Sequence, residues 1–267
     1  PAGVTIFSMF QQNTELMALV AEIMGTSPSL AEHLGKHPQV LEGVLTRDFF
    51  SGLPDLAFLE KDIEQILSMA LDYEDILDLT RKWARDRRFQ AGIHILKALS
   101  PASGTGRYLA DIAHAALTAL LPHVKAEFRQ QHGTFKTGDF GLIALGGFGS
   151  ADMTVSSDLD LVAVYAPPLN EETSSGIKPL SPAQYYIRLT QRLLTALTAP
   201  TAEGKLYDVD LRLRPSGNDG PLAVSIESFI DYQKKNAWIW EHMCLLRGRV
   251  VAGSNEFKQK IDQGIIT

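Results

Sequence analysis

One cysteine, Cys244, in 267 residues leaves no intrachain disulfide to form and fits a reducing cytoplasm. No apolar run approaches the roughly twenty residues a membrane helix needs, and the N-terminus lacks a basic stretch leading into an apolar core. Neither a membrane span nor a targeting signal is expected. Positive charge is in deficit, 25 Lys and Arg against 31 Asp and Glu, for a formal net charge of -6. That balance disfavours a nucleic-acid-binding surface and makes a protein the expected macromolecular partner. There is no Cys/His metal array, no internal repeat and no low-complexity tract. His33, His37, His94, His114, His123 and His132 are scattered, so surface or satisfied core positions are expected for them. The abrupt ends, Pro1 and Ile265-Ile266-Thr267, suggest a fragment of a longer polypeptide.

What is present is a 45% hydrophobic chain, enough for one large domain or two modest ones with buried cores. Over residues 1–132 the apolar residues recur at helical spacing: Leu16, Leu19, Val20 and Ile23; Ile63, Ile66, Leu67 and Ala70; Leu109, Ile112, Ala113, Ala116, Leu117 and Leu120. Gly25 to Ser29, His37-Pro38 and Ser100 to Gly106 read as breaks between helices, and Arg81 to Arg88 as a solvated face. A helical bundle is expected. From Gly133 onward the pattern changes to strands, at Phe140–Leu145, Asp158–Tyr165 and Asp208–Arg214. An amphipathic helix carrying Tyr186, Leu189, Leu193 and Leu197 follows Ser181-Pro182 between the second and third. A strand, crossover helix and strand favour a mixed sheet flanked by helices, so the fold class is α+β. A last helix is expected from Ser228 to about Val251, with Trp238, Trp240 and His242 packing it against the sheet; docking of a partner is their alternative role.

The chemistry-bearing run is Leu145-Gly-Gly-Phe-Gly-Ser-Ala-Asp-Met-Thr-Val-Ser-Ser-Asp-Leu-Asp-Leu161. In an extended strand alternate side chains share a face, so Asp158 and Asp160 point one way while Leu159 and Leu161 pack the other. Two like charges that close are sensible around a cation, and hard oxygen ligands favour Mg2+. A solvated strand end is the competing explanation. Tyr207-Asp-Val-Asp-Leu-Arg-Leu-Arg-Pro215 alternates in the same way, placing Asp208, Asp210, Arg212 and Arg214 together. If the two strands are neighbours, carboxylates converge on a site able to hold two divalent ions, the arrangement that clamps an in-line nucleotidyl displacement. The arginines would then neutralise a triphosphate and its departing pyrophosphate; a structural ladder with Asp208 and Asp210 is their alternative role.

Together these features resemble the nucleotidyltransferase superfamily that includes DNA polymerase beta. The likeness narrows over Leu206-Tyr-Asp-Val-Asp-Leu-Arg-Leu-Arg-Pro-Ser-Gly-Asn-Asp-Gly-Pro-Leu222 and Asp231-Tyr-Gln-Lys-Lys-Asn-Ala-Trp-Ile-Trp-Glu-His242, which are similar to glutamine synthetase adenylyltransferases. Gly25-Thr-Ser-Pro-Ser-Leu-Ala31 and His37-Pro-Gln-Val-Leu41 resemble that family's helical entry segment. The resemblance implies a helical region over 1–132 and a polymerase-beta-like catalytic domain over 133–267. It implies Mg2+, as two ions, on Asp158, Asp160 and Asp210, with ATP as substrate. Nucleotide contacts are expected at Gly146, Gly147, Gly149, Ser150, Ser157, Arg212 and Arg214, and Asp208 is left out of the ligand set.

Members of that family carry two related halves, one attaching AMP to a tyrosine of glutamine synthetase and the other removing it by phosphorolysis. Trp238-Ile-Trp-Glu-His242 resembles the AMP-attaching half. Glutamine synthetase is the partner this implies, together with a nitrogen-status signalling protein acting through other parts of the full-length chain. The sister half and a non-catalytic nucleotide sensor are the alternatives. One departure stands out: the family usually has Gly-Lys where this chain has Gly146-Gly147, and a missing lysine removes a cation from the phosphate loop.

Overall fold

The computed structural model describes residues 10–266 apart from positions 12 and 46, so Pro1 and Thr267 lie outside the described residues. Three helices of the first half begin where a short polar side chain receives a first-turn N–H. Asn13 accepts from Leu16 N–H at 3.1 Å and opens α1 (Thr14–Thr26). Pro28 opens α2 (Pro28–Lys36), and α3 (Val40–Val44) follows the expected break at His37-Pro38. Asp55 and Asp72 each accept a backbone N–H at 2.9 Å, starting α4 (Leu56–Leu67) and α5 (Tyr73–Leu96). The long α6 (Ala102–His132) starts earlier than expected and absorbs most of the Ser100–Gly106 loop. Pro101, extended at ψ 150°, serves as its cap, and the glycines continue the helix.

The stripes read from the sequence are the ones that bury: Leu16, Leu19 and Ile23 on α1, Ile63 and Leu67 on α4, and Leu109 through Leu120 on α6. Each fully buried Leu or Ile contributes roughly 1.5–3 kcal/mol. The Arg81–Arg88 stretch is a correction. Arg81 is 1% exposed, and Trp83, Ala84 and Arg85 are also buried. Arg81 Nε donates to Gly204 O at 2.8 Å, Nη1 to Leu77 O at 2.9 Å, and Nη2 to Ala196 O and Ala199 O at 2.7 and 2.8 Å. Counting charges along the helix could not anticipate this, because three of the four carbonyls that satisfy the guanidinium lie more than a hundred residues away.

His94 is a satisfied core histidine, set between Ser100 Oγ and Phe49 O at 3.0 Å each. His33 stacks on Phe89 at 5.3 Å. Burial, and after it the charges of His37, Arg85 and Arg88, lowers its pKa from 6.5 to about 4. The unfolded chain therefore takes up a proton below pH 6.5 that the folded chain refuses until about pH 4, and stability is lost as pH falls through that window. Urea midpoints at pH 7 and pH 5 are expected to differ more for the wild type than for His33→Gln. Equal pH dependence in the two would remove His33 from the account.

The second half builds one mixed sheet. β1 (Asp139–Ala144) pairs antiparallel with β2 (Leu159–Ala166) and with β5 (Arg249–Ala252), while β3 (Val209–Asp210) and β4 (Ala223–Ser225) both run parallel to β2. Between β1 and β2 the glycine run forms a short helix, α7 (Gly146–Gly149). The expected crossover helix is α8 (Pro182–Thr198), buried through Tyr186, Leu189, Leu193 and Leu197. Ser181 occupies its cap position but makes no capping hydrogen bond with its side chain.

Both sheet faces are covered. Leu142, Ala144, Leu161 and Ala163 join Leu109, Leu120 and Leu193 in one apolar cluster that runs from helical region to sheet. Ile143, Val162 and Val164 on the other face pack with Val224, Phe229 and Phe257. The fold is α+β, with a five-stranded mixed sheet flanked by helices, consistent with a nucleotidyltransferase.

The single helix expected from Ser228 to Val251 is instead α9 (Ile226–Lys235), α10 (Ile239–Leu245) and β5, followed by α11 (Asn255–Ile266). The break has a physical cause. Trp238 is extended at ψ 156°, and the Glu241 carboxylate accepts its N–H at 2.7 Å and Tyr232 Oη–H at 3.0 Å, restarting a helix. Glu241 is therefore buried, while Trp238 and Trp240 are 72% and 53% exposed. The packing expected of the two tryptophans is not what forms; His242, like Glu241, ties α10 to α9, meeting Gln233 O at 2.8 Å.

Candidate active site

β2 and β3 are neighbours, as the convergence of carboxylates requires. Their parallel register sets Asp160 opposite Asp210 and Leu159 opposite Val209, so both carboxylates leave on one face at the open end of the sheet. Leu159 N–H donates to Asp208 O at 2.9 Å, and Leu145 N–H to Asp160 O at 2.9 Å, tying both strands to the glycine turn. Asp158, just before β2, is exposed. Burial raises the pKa of Asp160, and the charges of Asp158 and Asp210 push it the same way. Asp210 moves down instead, because Arg212 hydrogen-bonds to it: Nε reaches Oδ2 at 2.7 Å and the backbone N–H reaches Oδ1 at 2.7 Å. Asp208 is ion-paired to Lys205 at 2.7 Å.

The strand expected over Asp208–Arg214 stops at Asp210, and the two arginines part company. Arg212 lies in the open beside the aspartates. Arg214 is buried, with Nη1 on Leu211 O at 2.8 Å, Nη2 on Asn218 O and Nε on Gly220 O, both at 3.2 Å. It braces the loop after β3. Strict alternation in the sequence resembles a strand here because Leu211 and Leu213 still face apolar neighbours after the chain has turned.

Gly146 has φ +54°, and a Cβ on it would run into the Asp160 carboxylate, so only glycine sits here without strain. The first N–H groups of α7, at Gly146, Gly147 and Phe148, have no acceptor within the helix. Gly149 N–H is already taken by Leu145 O at 2.7 Å. Ser150 Oγ donates back to Gly146 O at 3.0 Å, and Ser157 Oγ accepts Thr154 N–H at 2.9 Å, closing the loop before Asp158. A Cβ on Gly147 would lie 2.9 Å from the Asp152 carbonyl oxygen, which is backbone and cannot swing aside.

Among the described residues, no three His, Cys, Asp or Glu side chains are drawn together tightly enough to close around an ion as they stand. The donor set nevertheless fits a hard cation: all its atoms are carboxylate oxygens, and the mutual repulsion on Asp160 is the strain a cation relieves. No sequence motif marks Arg249, whose Nε reaches Phe148 O at 3.2 Å, or the buried Asp111.

A sequence model described as glutamate-ammonia ligase adenylyltransferase matches residues 17–264. The chain belongs to that family. Similar relatives are bifunctional glutamine synthetase adenylyltransferase/adenylyl-removing enzymes. That of Brucella suis is 44% identical over 98% of this chain, that of Mesorhizobium japonicum 42% over 95%, and that of Rhodopseudomonas palustris 39% over 98%. The chain spans about a quarter of their length, 27%, 26% and 27% respectively. No helix among the described residues is long and apolar enough to cross a membrane.

Within this adenylyltransferase family chain, Gly147→Lys tests the departure at the glycine turn. With a backbone carbonyl against the new Cβ, the expected result is no gain in ATP affinity, read by calorimetry, and a lowered unfolding midpoint. Tightening of about 1–2 kcal/mol, the size of a charge-assisted contact, would mean that the turn yields and the lysine reaches phosphate.

Proposed function

We propose that this chain is the AMP-attaching half of a glutamine synthetase adenylyltransferase, moving AMP from ATP to a tyrosine of glutamine synthetase. The observation that carries the reading is the register of Asp160 with Asp210 beside a glycine turn whose first N–H groups are free of intrahelical acceptors. Asp158, Asp160 and Asp210 would hold Mg2+, which when bound neutralises triphosphate charge and acidifies the attacking hydroxyl. The N–H groups of Gly146, Gly147 and Phe148 would donate to phosphate oxygens, with Ser150 and Ser157 at the rim. Arg212, whose present partner is the Asp210 carboxylate, turns to the phosphates once that charge is met otherwise. The tyrosine oxygen attacks the α-phosphorus, the bond to the β-phosphate oxygen breaks, pyrophosphate leaves with the electron pair, and the phenolic proton goes to solvent. No protein nucleophile takes part.

The likeness of Trp238 to His242 to the AMP-attaching half supports this direction over phosphorolysis. Glutamine synthetase is the proposed macromolecular partner, a nitrogen-status signalling protein is proposed to act through other parts of the full-length polypeptide, and the reducing cytoplasm is the proposed setting. The test is incubation with unmodified glutamine synthetase and ATP labelled in the adenylyl group, beside adenylylated glutamine synthetase and orthophosphate. Label on the protein supports attachment. Release of ADP from the second mixture alone assigns removal, and tight ATP binding with neither reaction assigns a sensor.

A further inference from the structure

Beneath the glycine turn lie charged side chains that the proposed chemistry leaves without a role. β5 places Arg249 opposite Ala144, two residues before Gly146. Its Nε donates to Phe148 O at 3.2 Å, and its guanidinium carbon lies 5.3 Å from the centre of the Phe148 ring. Phe148 is fully buried, so the cation is anchored to the one residue of α7 that has a side chain. From the other side α6 supplies Asp111, 6% exposed. Burial raises its pKa, against the lowering influence of Arg107 and Arg249. Arg107 Nε stands 3.6 Å from Asp111 Oδ2, while Asp111 Oδ1 and Arg249 Nη2 are buried without hydrogen-bond partners.

A four-residue helix with three glycines has little of its own to hold its N–H groups in one orientation, since glycine backbone is the loosest to order. A guanidinium fixed to a carbonyl and an aromatic face supplies that restraint from outside. Buried in this way, it needs a countercharge, and Asp111 is the carboxylate whose charge acts on it, though no direct ion pair joins the two. We infer that Arg249, with Asp111 as its counter-ion, is a positioning residue for the nucleotide, holding the Gly146–Gly149 turn in place beside Asp160. This rests on the proposed reading of that turn as the triphosphate cradle. Displacing catalytic or binding groups by even 1 Å can cost a hundred-fold, so a restraint acting through Phe148 O has room for a large effect.

The test compares wild type, Arg249→Met, Arg249→Lys and Asp111→Asn by ATP titration calorimetry, by the KM values for ATP and for glutamine synthetase, and by thermal unfolding. Arg249→Met is expected to weaken ATP about ten-fold or more and leave the glutamine synthetase KM nearly unchanged. Arg249→Lys should recover part of the loss, and Asp111→Asn should show a smaller loss of the same kind. A loosened core would instead weaken both substrates together. If Arg249→Met does not fold, Arg249→Lys decides, with a few-fold loss of ATP affinity at an unchanged unfolding midpoint expected. Wild-type ATP affinity in the folded variants, or equal losses for both substrates, overturns the inference alone. A wild type that binds no ATP overturns the cradle reading and the inference together.

Discussion

Replacing Asp160 with asparagine should lower AMP transfer at least about a hundred-fold, ~2.7 kcal/mol or more of transition-state stabilisation, while leaving the protein as stable as the wild type or more so. The two halves of that expectation have one cause. Asp160 is half-buried against the charges of Asp158 and Asp210, and its raised pKa means that the folded state disfavours its ionised form. For a carboxyl raised above its unfolded value, stability falls as pH rises through the titration, so at neutral pH the charge is a net cost to folding. Asparagine keeps the volume and removes the charge. A structural aspartate would behave in the opposite way, losing stability with its partner. Transfer and unfolding temperature measured on one preparation separate the two. More than a tenth of wild-type transfer at saturating Mg2+, or a clear drop in unfolding temperature, would show that Asp160 is not held there for a cation. The same change at Asp208, ion-paired to Lys205 in the open, should be mild.

Arg81→Met should give the largest loss of stability, about 3 kcal/mol, since a buried guanidinium making four hydrogen bonds to backbone carbonyls, one fully buried and three partly, is replaced by a side chain that makes none. For a chain of this size that is roughly 6–12 °C in unfolding midpoint. Ala196 and Ala199 are at the end of α8, and Gly204 precedes the segment that carries Asp210, so the loss loosens the approach to β3 as well as the core. Arg81→Lys should fall between, because one ammonium cannot meet carbonyls spread around a planar fork. A midpoint for Arg81→Met within about 2 °C of wild type would contradict this account of the joint.

What the sequence made legible was short-range and periodic. The α1, α4 and α6 stripes, the β1 and β2 strands and the α8 face each repeat a pattern within one element, and each buries its main positions, with Val20, Ile66 and Ala70 half-buried. The pairing of Asp160 with Asp210 was legible for the same reason, because each lies in a strand whose apolar face can be seen from the alternation. Arg81, Arg214 and Arg249 were not legible. Their partners are backbone carbonyls, mostly on distant segments for Arg81, on a distant one for Arg249 and in the adjoining turn for Arg214, which no side-chain pattern advertises. The Trp238–His242 stretch failed for a local reason. Aromatic spacing suggested a continuous buried helix, while Glu241, placed three residues after Trp238, acts as the restart signal. The parting of Arg212 from Arg214 also followed from a strand only two residues long, Val209–Asp210, where alternation persists beyond the hydrogen bonding.

The most direct measurement of the central claim is a crystal structure of the chain with Mg2+ and a non-hydrolysable ATP analogue, read at the β2–β3 edge. The account predicts metal density bridging Asp158, Asp160 and Asp210, phosphate oxygens on the Gly146–Phe148 N–H groups, and Arg212 moved from Asp210 onto the phosphates. Nucleotide bound elsewhere, with Arg212 still on Asp210 and no ion between the carboxylates, would contradict it.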